Sequence, residues 1–91
     1  MATLNLSISV GGTAQDALNP DVTRNHVEIT AVDEDVWVNF NGTAAINTGE
    51  LVLVGQSRAW FRANRTDITN RVSILAATTG SKVIVGYDVG V

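Results

Sequence analysis

The chain alternates between apolar and polar side chains in several short runs. The first run, residues 3–10 (TLNLSISV), is apolar at every second position, at Leu4, Leu6, Ile8 and Val10. A period of two residues predicts a β-strand with one buried face and one face toward water. We therefore expect the chain to open with a half-buried strand.

Similar runs follow along the chain, separated by turn-forming residues. Further strands are predicted at residues 25–32, 36–40, 51–54, 59–62, 72–76 and 83–89, with a short edge piece at residues 44–47. Only the stretch TAQDALNPD suggests a short helical turn, which would end before Pro20. Seven to eight short strands favour an all-β fold, a small antiparallel β-sandwich or barrel. Jelly-roll-like connectivity is compatible with that number, and residues 1–91 form a single domain.

Several strands are apolar on both faces, although a sandwich of this size has a single core. The side chains that we expect to point away from it are those of Trp37, Trp60, Leu75 and Ile84. Scattered exposed apolar residues are normal in monomeric proteins. Aromatic residues also concentrate in protein interfaces. We favour the second interpretation, a subunit or partner interface.

Four arginines lie close together in the chain, at positions 58, 62, 65 and 71. In an extended strand, Arg58 and Arg62 would share the face that carries Trp60. Arginine beside an aromatic ring suits a protein contact and also a glycan or nucleic-acid contact. A solvated face with stacked side-chain stems is an equally simple interpretation. All of these alternatives stay open from the sequence.

The composition excludes several kinds of site and indicates a covered surface. The 91 residues include no cysteine and one histidine, so disulfides, thiolate metal sites and a multi-histidine zinc site within one chain are excluded. Hydrophobic residues make up 45% and charged residues only 16%, which indicates that other protein covers part of the surface. Because small domains are only marginally stable alone, we expect a homo-oligomer.

Charge and hydropathy exclude two classes of partner. The net charge is −3 and there is no basic run, which argues against nucleic acid. No stretch approaches the roughly 20 apolar residues that span a bilayer, so no membrane contact is expected. The first residues, MATL, lack the basic start of a secretory signal. We therefore expect a soluble protein that is not secreted through such a signal.

The search for reactive groups gives no catalytic, cofactor or metal site. The densest acids, Asp33, Glu34 and Asp35, lack the spacing of a calcium loop and precede a strand, so they are interpreted as a solvated turn. The single histidine, His26, shares a strand face with Glu28, which is typical of a polar outer face. The chain is predicted not to be an enzyme.

Three stretches carry a resemblance to a known class of proteins. They are RNHVEITAVDEDVWVNFNGTAA, LVLVGQS and the closing ATTGSKVIVGYDV. In this order they resemble small all-β accessory proteins of tailed bacteriophage virions, over roughly residues 20 to 90. The matching motifs are turns and core strands. No catalytic residue belongs to them.

The resemblance implies a non-enzymatic virion structural protein without a cofactor, made in the host cytoplasm. The function that it favours is a capsid decoration, or cement, protein on the capsid surface that bridges major capsid subunits, as a homo-oligomer and preferably a trimer. The alternative is a tail or fibre component that recognises a host surface glycan, with Trp60 stacking on a sugar. The contact residues expected are Trp37, Trp60, Arg58, Arg62, Leu75 and Ile84, with the N-terminal strand.

Overall fold

The computed structural model describes residues 1–90, and Val91, the last residue of the predicted domain, lies outside them. The strands are β1 (Ala2–Ser7), β2 (Gln15–Leu18), β3 (Arg24–Ala31), β4 (Val36–Asn39), β5 (Glu50–Val52), β6 (Ser57–Phe61), β7 (Val72–Leu75) and β8 (Lys82–Val89). A single 3-10 turn, Thr66–Thr69, lies between β6 and β7. The prediction of an all-β protein is confirmed.

The strands form two antiparallel sheets of four. Sheet A has the order β1-β8-β3-β6, and sheet B has the order β2-β7-β4-β5. The pairs β1 with β8, β2 with β7, β3 with β6 and β4 with β5 are nested, as in one long hairpin folded over itself. This is the jelly-roll topology. The structure is thus a sandwich and not a closed barrel.

The core lies between the two sheets and is built largely from β-branched side chains. Val27 and Ile29 of β3, Val38 of β4, Ile74 of β7 and Val85 of β8 are all completely buried. Several of them are cross-strand neighbours of one another, for example Val38 beside Ile74 and Ile29 beside Val85. Branched side chains pack well on a pleated surface, which is why these runs form strands.

Strand β2 corrects one prediction. The stretch expected to make a helical turn instead contains Gln15–Leu18, which pairs with β7. The register shifts between Asp16 and Leu18, and both Ala17 and Leu18 are buried. Such an irregularity breaks the two-residue period that would have revealed a strand. The pairing partner in β7, far along the chain, decides the structure here.

Strand β1 is shorter than the alternation suggests. It ends at Ser7, and Val10 is exposed rather than inward-facing. The chain then turns past Gly11, where an added Cβ would lie 2.3 Å from the carbonyl oxygen of Ala77. Only glycine permits this close backbone approach. The glycine therefore lets the chain after β1 pass close to Ala77.

A buried arginine ties the end of the sandwich together. Arg24, at the start of β3, donates from Nη1 to the carbonyl oxygens of Ile68 (2.8 Å) and Asn70 (2.9 Å), and from Nη2 to that of Asn19. Burial lowers the pKa of its guanidinium, but an arginine remains charged at any physiological pH. Arg24 therefore anchors the loop that carries the 3-10 turn.

Candidate functional site

Trp37 lies on the outer face of sheet B. Its neighbours in β4, Val36 and Val38, point into the core and are buried, so the tryptophan ring must point the other way. It is flanked by Leu51 of β5 and Leu75 of β7, its cross-strand partners. The ring is half-buried. The prediction that Trp37 and Leu75 face away from the core is confirmed, although Leu75 itself is only 6% exposed.

A groove of about 420 Å³ opens at this tryptophan. Its lining residues are Asp33, Glu34, Asp35, Trp37, Ile46, Val54, Leu75, Ala76 and Ala77. Six of these nine residues are apolar, and the other three are the acids Asp33, Glu34 and Asp35, which we call the rim. We call this feature the Trp37 groove. An apolar cleft with a few polar groups is the usual form of a binding site.

One wall of the Trp37 groove comes from residues 41–49, which fold back over sheet B. The Ala44 N–H donates to Ser73 Oγ (3.0 Å), and Ala44 is buried. At Gly49, where φ is 94°, an added Cβ would lie 2.5 Å from the Val38 carbonyl oxygen. The predicted edge piece at residues 44–47 is reduced to a single bridge between positions 45 and 48. This loop leaves Ile46 60% exposed beside the groove.

All three acids at the rim accept hydrogen bonds from backbone N–H groups, and two of them accept a single one each. Asp33 accepts a hydrogen bond from the Lys82 N–H (2.8 Å), and Asp35 accepts one from the Val54 N–H (2.8 Å). Each carboxylate thereby joins the turn before β4 to another segment of the chain. The prediction of a merely solvated turn is too weak, because these acids are structural acceptors.

Glu34 makes the most extensive of these links. It accepts from the Thr78 N–H (2.6 Å), from Thr78 Oγ1 (3.1 Å) and from Ser81 Oγ (2.7 Å). The hydrogen bonds from Ser81 and Thr78 lower the pKa of this carboxyl. The rim of the Trp37 groove is therefore held by hydrogen bonds within the chain.

Trp60 lies in a different place from the one predicted. Its cross-strand partner is Val27, a fully buried core residue, and Trp60 itself is only 6% exposed. The ring meets Phe40 edge-on, with centroids 5.1 Å apart. The expectation that Trp60 points away from the core is wrong. Phe61, the next residue, is the exposed aromatic of β6 at 49%.

Arg58 covers the buried tryptophan at the side of the sandwich. Its guanidinium carbon lies 5.3 Å from the centroid of Trp60. It donates to the Leu51 carbonyl (3.0 Å) and to a Glu50 carboxylate oxygen (2.9 Å). Arg58 therefore spans from β6 of sheet A to β5 of sheet B. Its Nη1 and Nη2 groups therefore bond within its own chain.

Arg65 completes this closure. It donates to Glu50 and, through two nitrogens, to Asp67, and its guanidinium carbon lies 5.1 Å from the Phe40 ring centroid. Asp67 raises the pKa of Arg65, and Arg65 lowers the pKa of Asp67. Arg58, Arg65, Glu50 and Asp67 form what we call the edge cluster. The sequence shows the arginines near a tryptophan. It does not show their pairing with Glu50 and Asp67, which makes the cluster structural.

The remaining predicted contact residues are scattered. Arg62 follows β6 with an exposed side chain, which makes no hydrogen bond or ion pair within residues 1–90, and its N–H donates to the Asn25 carbonyl (3.0 Å). Ile84 is half-buried on the outer face of sheet A, between Asn5 and Thr30. Neither residue lines the Trp37 groove. The structure therefore divides the six predicted contact residues among several surfaces.

His26 does not form a catalytic arrangement. Its ring stacks on Phe61 with centroids 4.8 Å apart, and Nδ1 lies 3.2 Å from an Asp88 carboxylate oxygen. Its Nε2 is 3.9 Å from Glu28, beyond hydrogen-bond distance. In the described part of the chain no serine or threonine hydroxyl is hydrogen-bonded to it. The ring is a packing element of the polar outer face.

Two further searches cover residues 1–90. No group of three or more histidine, cysteine, aspartate or glutamate side chains is arranged to hold a metal ion. None of the helical segments there is long and apolar enough to cross a membrane.

Comparison of the chain with protein-family models, with curated proteins and with solved structures finds no match. The resemblance to phage virion proteins is therefore carried only by the sequence stretches quoted above.

Proposed function

We propose that the protein is a non-enzymatic structural component of a tailed-phage virion, acting as a capsid decoration protein that binds major capsid subunits. The observation that carries the binding part of this proposal is the half-buried Trp37 in a largely apolar groove on the outer face of sheet B. The virion part rests on the sequence resemblance.

The Trp37 groove suits an apolar side chain or a short extended segment of a partner. Tryptophan is the residue most enriched among those that dominate binding energy, when a partner can desolvate it. The rim is held by hydrogen bonds from the Thr78 N–H to Glu34 and from the Val54 N–H to Asp35. Because the groove is already ordered, binding of a partner costs little free energy for ordering these side chains and loops.

A shell protein also gains from repetition. A few hundred Å² of apolar contact at about 25 cal/mol per Å² gives modest affinity at one site. Oligomerisation of the decoration protein would add avidity, because several copies engage the shell together. The trimer that the resemblance implies is one such assembly.

The jelly-roll topology is compatible with this function without deciding it. Viral capsid domains, lectins and cupins all use this topology, and a fold alone does not assign a function. The glycan-binding alternative relied on Trp60 as a stacking residue, and Trp60 is buried. That alternative therefore ranks second and would have to use Trp37 instead.

A binding experiment with capsid shells tests the proposal. Purified protein is added to shells that lack it, and bound protein is measured by co-sedimentation and located by cryo-electron microscopy. We expect Trp37→Ala to weaken binding by at least about tenfold, the loss typical of a central aromatic anchor.

The matched control is Phe61→Ala, which removes an exposed aromatic from the outer face of sheet A. It should bind shells like the unmodified protein, and circular dichroism should show both variants folded. Absence of the protein from the shell, or equal binding by the Trp37 variant, would contradict the proposal. A glycan array probed with the same variants would reveal the alternative function.

A further inference from the structure

The two sheets have four edge strands, and three of them carry features that discourage pairing with another chain. Strand β2 is four residues long and irregular, β5 has three residues and includes Glu50, and β6 includes Arg58. Short length, irregular register and edge charges all protect sheet edges. Strand β1 has six residues, ATLNLS, with no charge, no proline and no register shift against β8.

The backbone groups on the free side of β1 can be identified from Ile8, the residue just after it. The Ile8 N–H donates to the Ser81 carbonyl (2.8 Å), and the Ile8 carbonyl accepts from the Gly80 N–H (2.8 Å). Both backbone groups of Ile8 therefore point toward the β8 side. Because the direction alternates along an antiparallel strand, the backbone groups that point away from β8 are those of Thr3, Asn5 and Ser7.

A glutamine marks one end of this free edge. Gln15 accepts from the Ser9 N–H (2.8 Å) and donates to the Ser7 carbonyl (3.2 Å). These contacts agree with the alternation, since both groups belong to the outward-pointing set. The Ser7 carbonyl retains a second lone pair, whereas the Ser9 N–H is occupied. The edge that is open to another strand therefore runs from Thr3 to Ser7, and its midpoint is Asn5.

We infer that β1 pairs antiparallel with β1 of a second copy of this chain, about a two-fold axis at Asn5. In this register Asn5 faces Asn5 of the second copy, and Thr3 faces its Ser7. The N–H groups of all three residues then donate to carbonyl oxygens of the second copy. The edge is its own complement, which is the requirement for an isologous contact.

The side chains agree with this register. Leu4 is placed beside Leu6 of the second copy, and both leucines are half-buried in the single chain. On the outer face the pairs are Asn5 with Asn5 and threonine with serine, so no like charges meet. The two copies of sheet A become one continuous sheet of eight strands. The pairing is two-fold and so differs from the trimer that the resemblance implies.

The test replaces Asn5 in two ways. Asn5→Pro removes the outward N–H, and proline is tolerated on an edge strand when that N–H does not bond within the sheet. Asn5→Ala removes the side chain and keeps the N–H. Sedimentation equilibrium over a concentration series should show a monomer–dimer equilibrium for the unmodified protein and for Asn5→Ala, with the dissociation constant of Asn5→Pro raised at least about tenfold.

A second variant keeps the test decisive if Asn5→Pro does not fold. If circular dichroism shows Asn5→Pro unfolded, Asn5→Lys replaces it, because two lysines would face each other across the axis and repel. A monomer at every concentration, a trimer, or a dimer that neither the proline variant nor the lysine variant weakens would overturn the inference.

Amide hydrogen exchange gives a residue-level readout. The Thr3, Asn5 and Ser7 amides should exchange more slowly as the concentration rises. The Leu4 and Leu6 amides, which face β8, should be protected at every concentration. Concentration-independent exchange at the Thr3, Asn5 and Ser7 amides would contradict the pairing. The Trp37 groove lies on the other sheet. If β1 does not pair with a second copy, the proposed binding of capsid shells by the groove is therefore unaffected.

Discussion

The two tryptophans of this chain look alike in sequence and lie in opposite environments. Each is an aromatic residue in a short, mostly apolar strand. Trp60 points inward against Phe40 and is covered by Arg58, whereas Trp37 points outward into a groove with a carboxylate rim. The charged groups near Trp60 bind one another, and those near Trp37 bind backbone N–H groups.

This difference assigns the two rings different roles. Around Trp60 every strong interaction is internal, so the ring and the edge cluster contribute to stability. Around Trp37 the walls are fixed while the ring keeps part of its surface open. Substitutions in the two environments should therefore separate stability from binding.

The largest loss of stability is expected from Trp60→Ala. Deleting a buried aromatic side chain costs about 3–5 kcal/mol in free energy of unfolding, because apolar contact is lost and a cavity remains. Urea denaturation at neutral pH measures it. Small domains have only about 5–15 kcal/mol in total, so this variant should be close to unfolding. A loss below about 1 kcal/mol would show that Trp60 is not a core residue.

A smaller loss is expected from Arg65→Ala. The variant removes the bonds to Glu50 and Asp67 and uncovers the Phe40 ring. Charged networks and cation–π contacts of this kind together contribute about 1–2 kcal/mol. The effect should shrink in high salt, since salt screens ion pairs. Arg62→Ala is the matched control, and an equal effect of both would argue against the edge cluster as a structural closure.

Trp37→Ala should change stability less than either of these substitutions. The half-buried ring loses its cross-strand contacts with Leu51 and Leu75, each of which is worth about 0.2–1 kcal/mol. The free energy of unfolding should therefore fall by about 1 kcal/mol. A loss as large as that of Trp60→Ala would mean that the two rings play the same role.

The smallest effect, present at neutral pH and absent in acid, is expected from Glu34→Gln. The pKa of Glu34 is lower in the folded than in the unfolded chain, so the folded state binds fewer protons. Its contribution is complete at neutral pH and is lost as the pH falls below about 4. Urea denaturation at several pH values gives the free energy of unfolding. Between neutral and acidic pH this free energy should change less for Glu34→Gln than for the unmodified protein. The same pH dependence of the free energy of unfolding in both proteins would contradict this. Glu28→Gln serves as the control.

The sequence predicts most of the sandwich because period-two alternation is visible in most strands. The predicted bounds of strands β3 and β4 agree with the structure within about one residue, since their inward apolar side chains recur at every second position. Strand β2 was missed because its register shift puts Ala17 and Leu18 together in the interior. Its fold depends on β7, a partner more than fifty residues away.

The candidate site was only half predictable for the same kind of reason. In the run AWF, alternation alone does not say which residue faces inward, and pairing with Val27 turns Trp60 to the core. For Trp37 the flanking valines settle the direction. The structural roles of Asp33, Glu34 and Asp35 depend on N–H groups of distant loops, which no local pattern reveals.

The central claim is that a partner covers Trp37, and single-tryptophan fluorescence tests it most directly. In the Trp60→Phe variant Trp37 is the one remaining tryptophan, and 5-hydroxytryptophan incorporated there can be excited apart from the tryptophans of capsid proteins. We expect acrylamide to quench it readily in the free protein and several-fold less when the protein is bound to capsid shells. Equal quenching in the free and shell-bound states would contradict the claim.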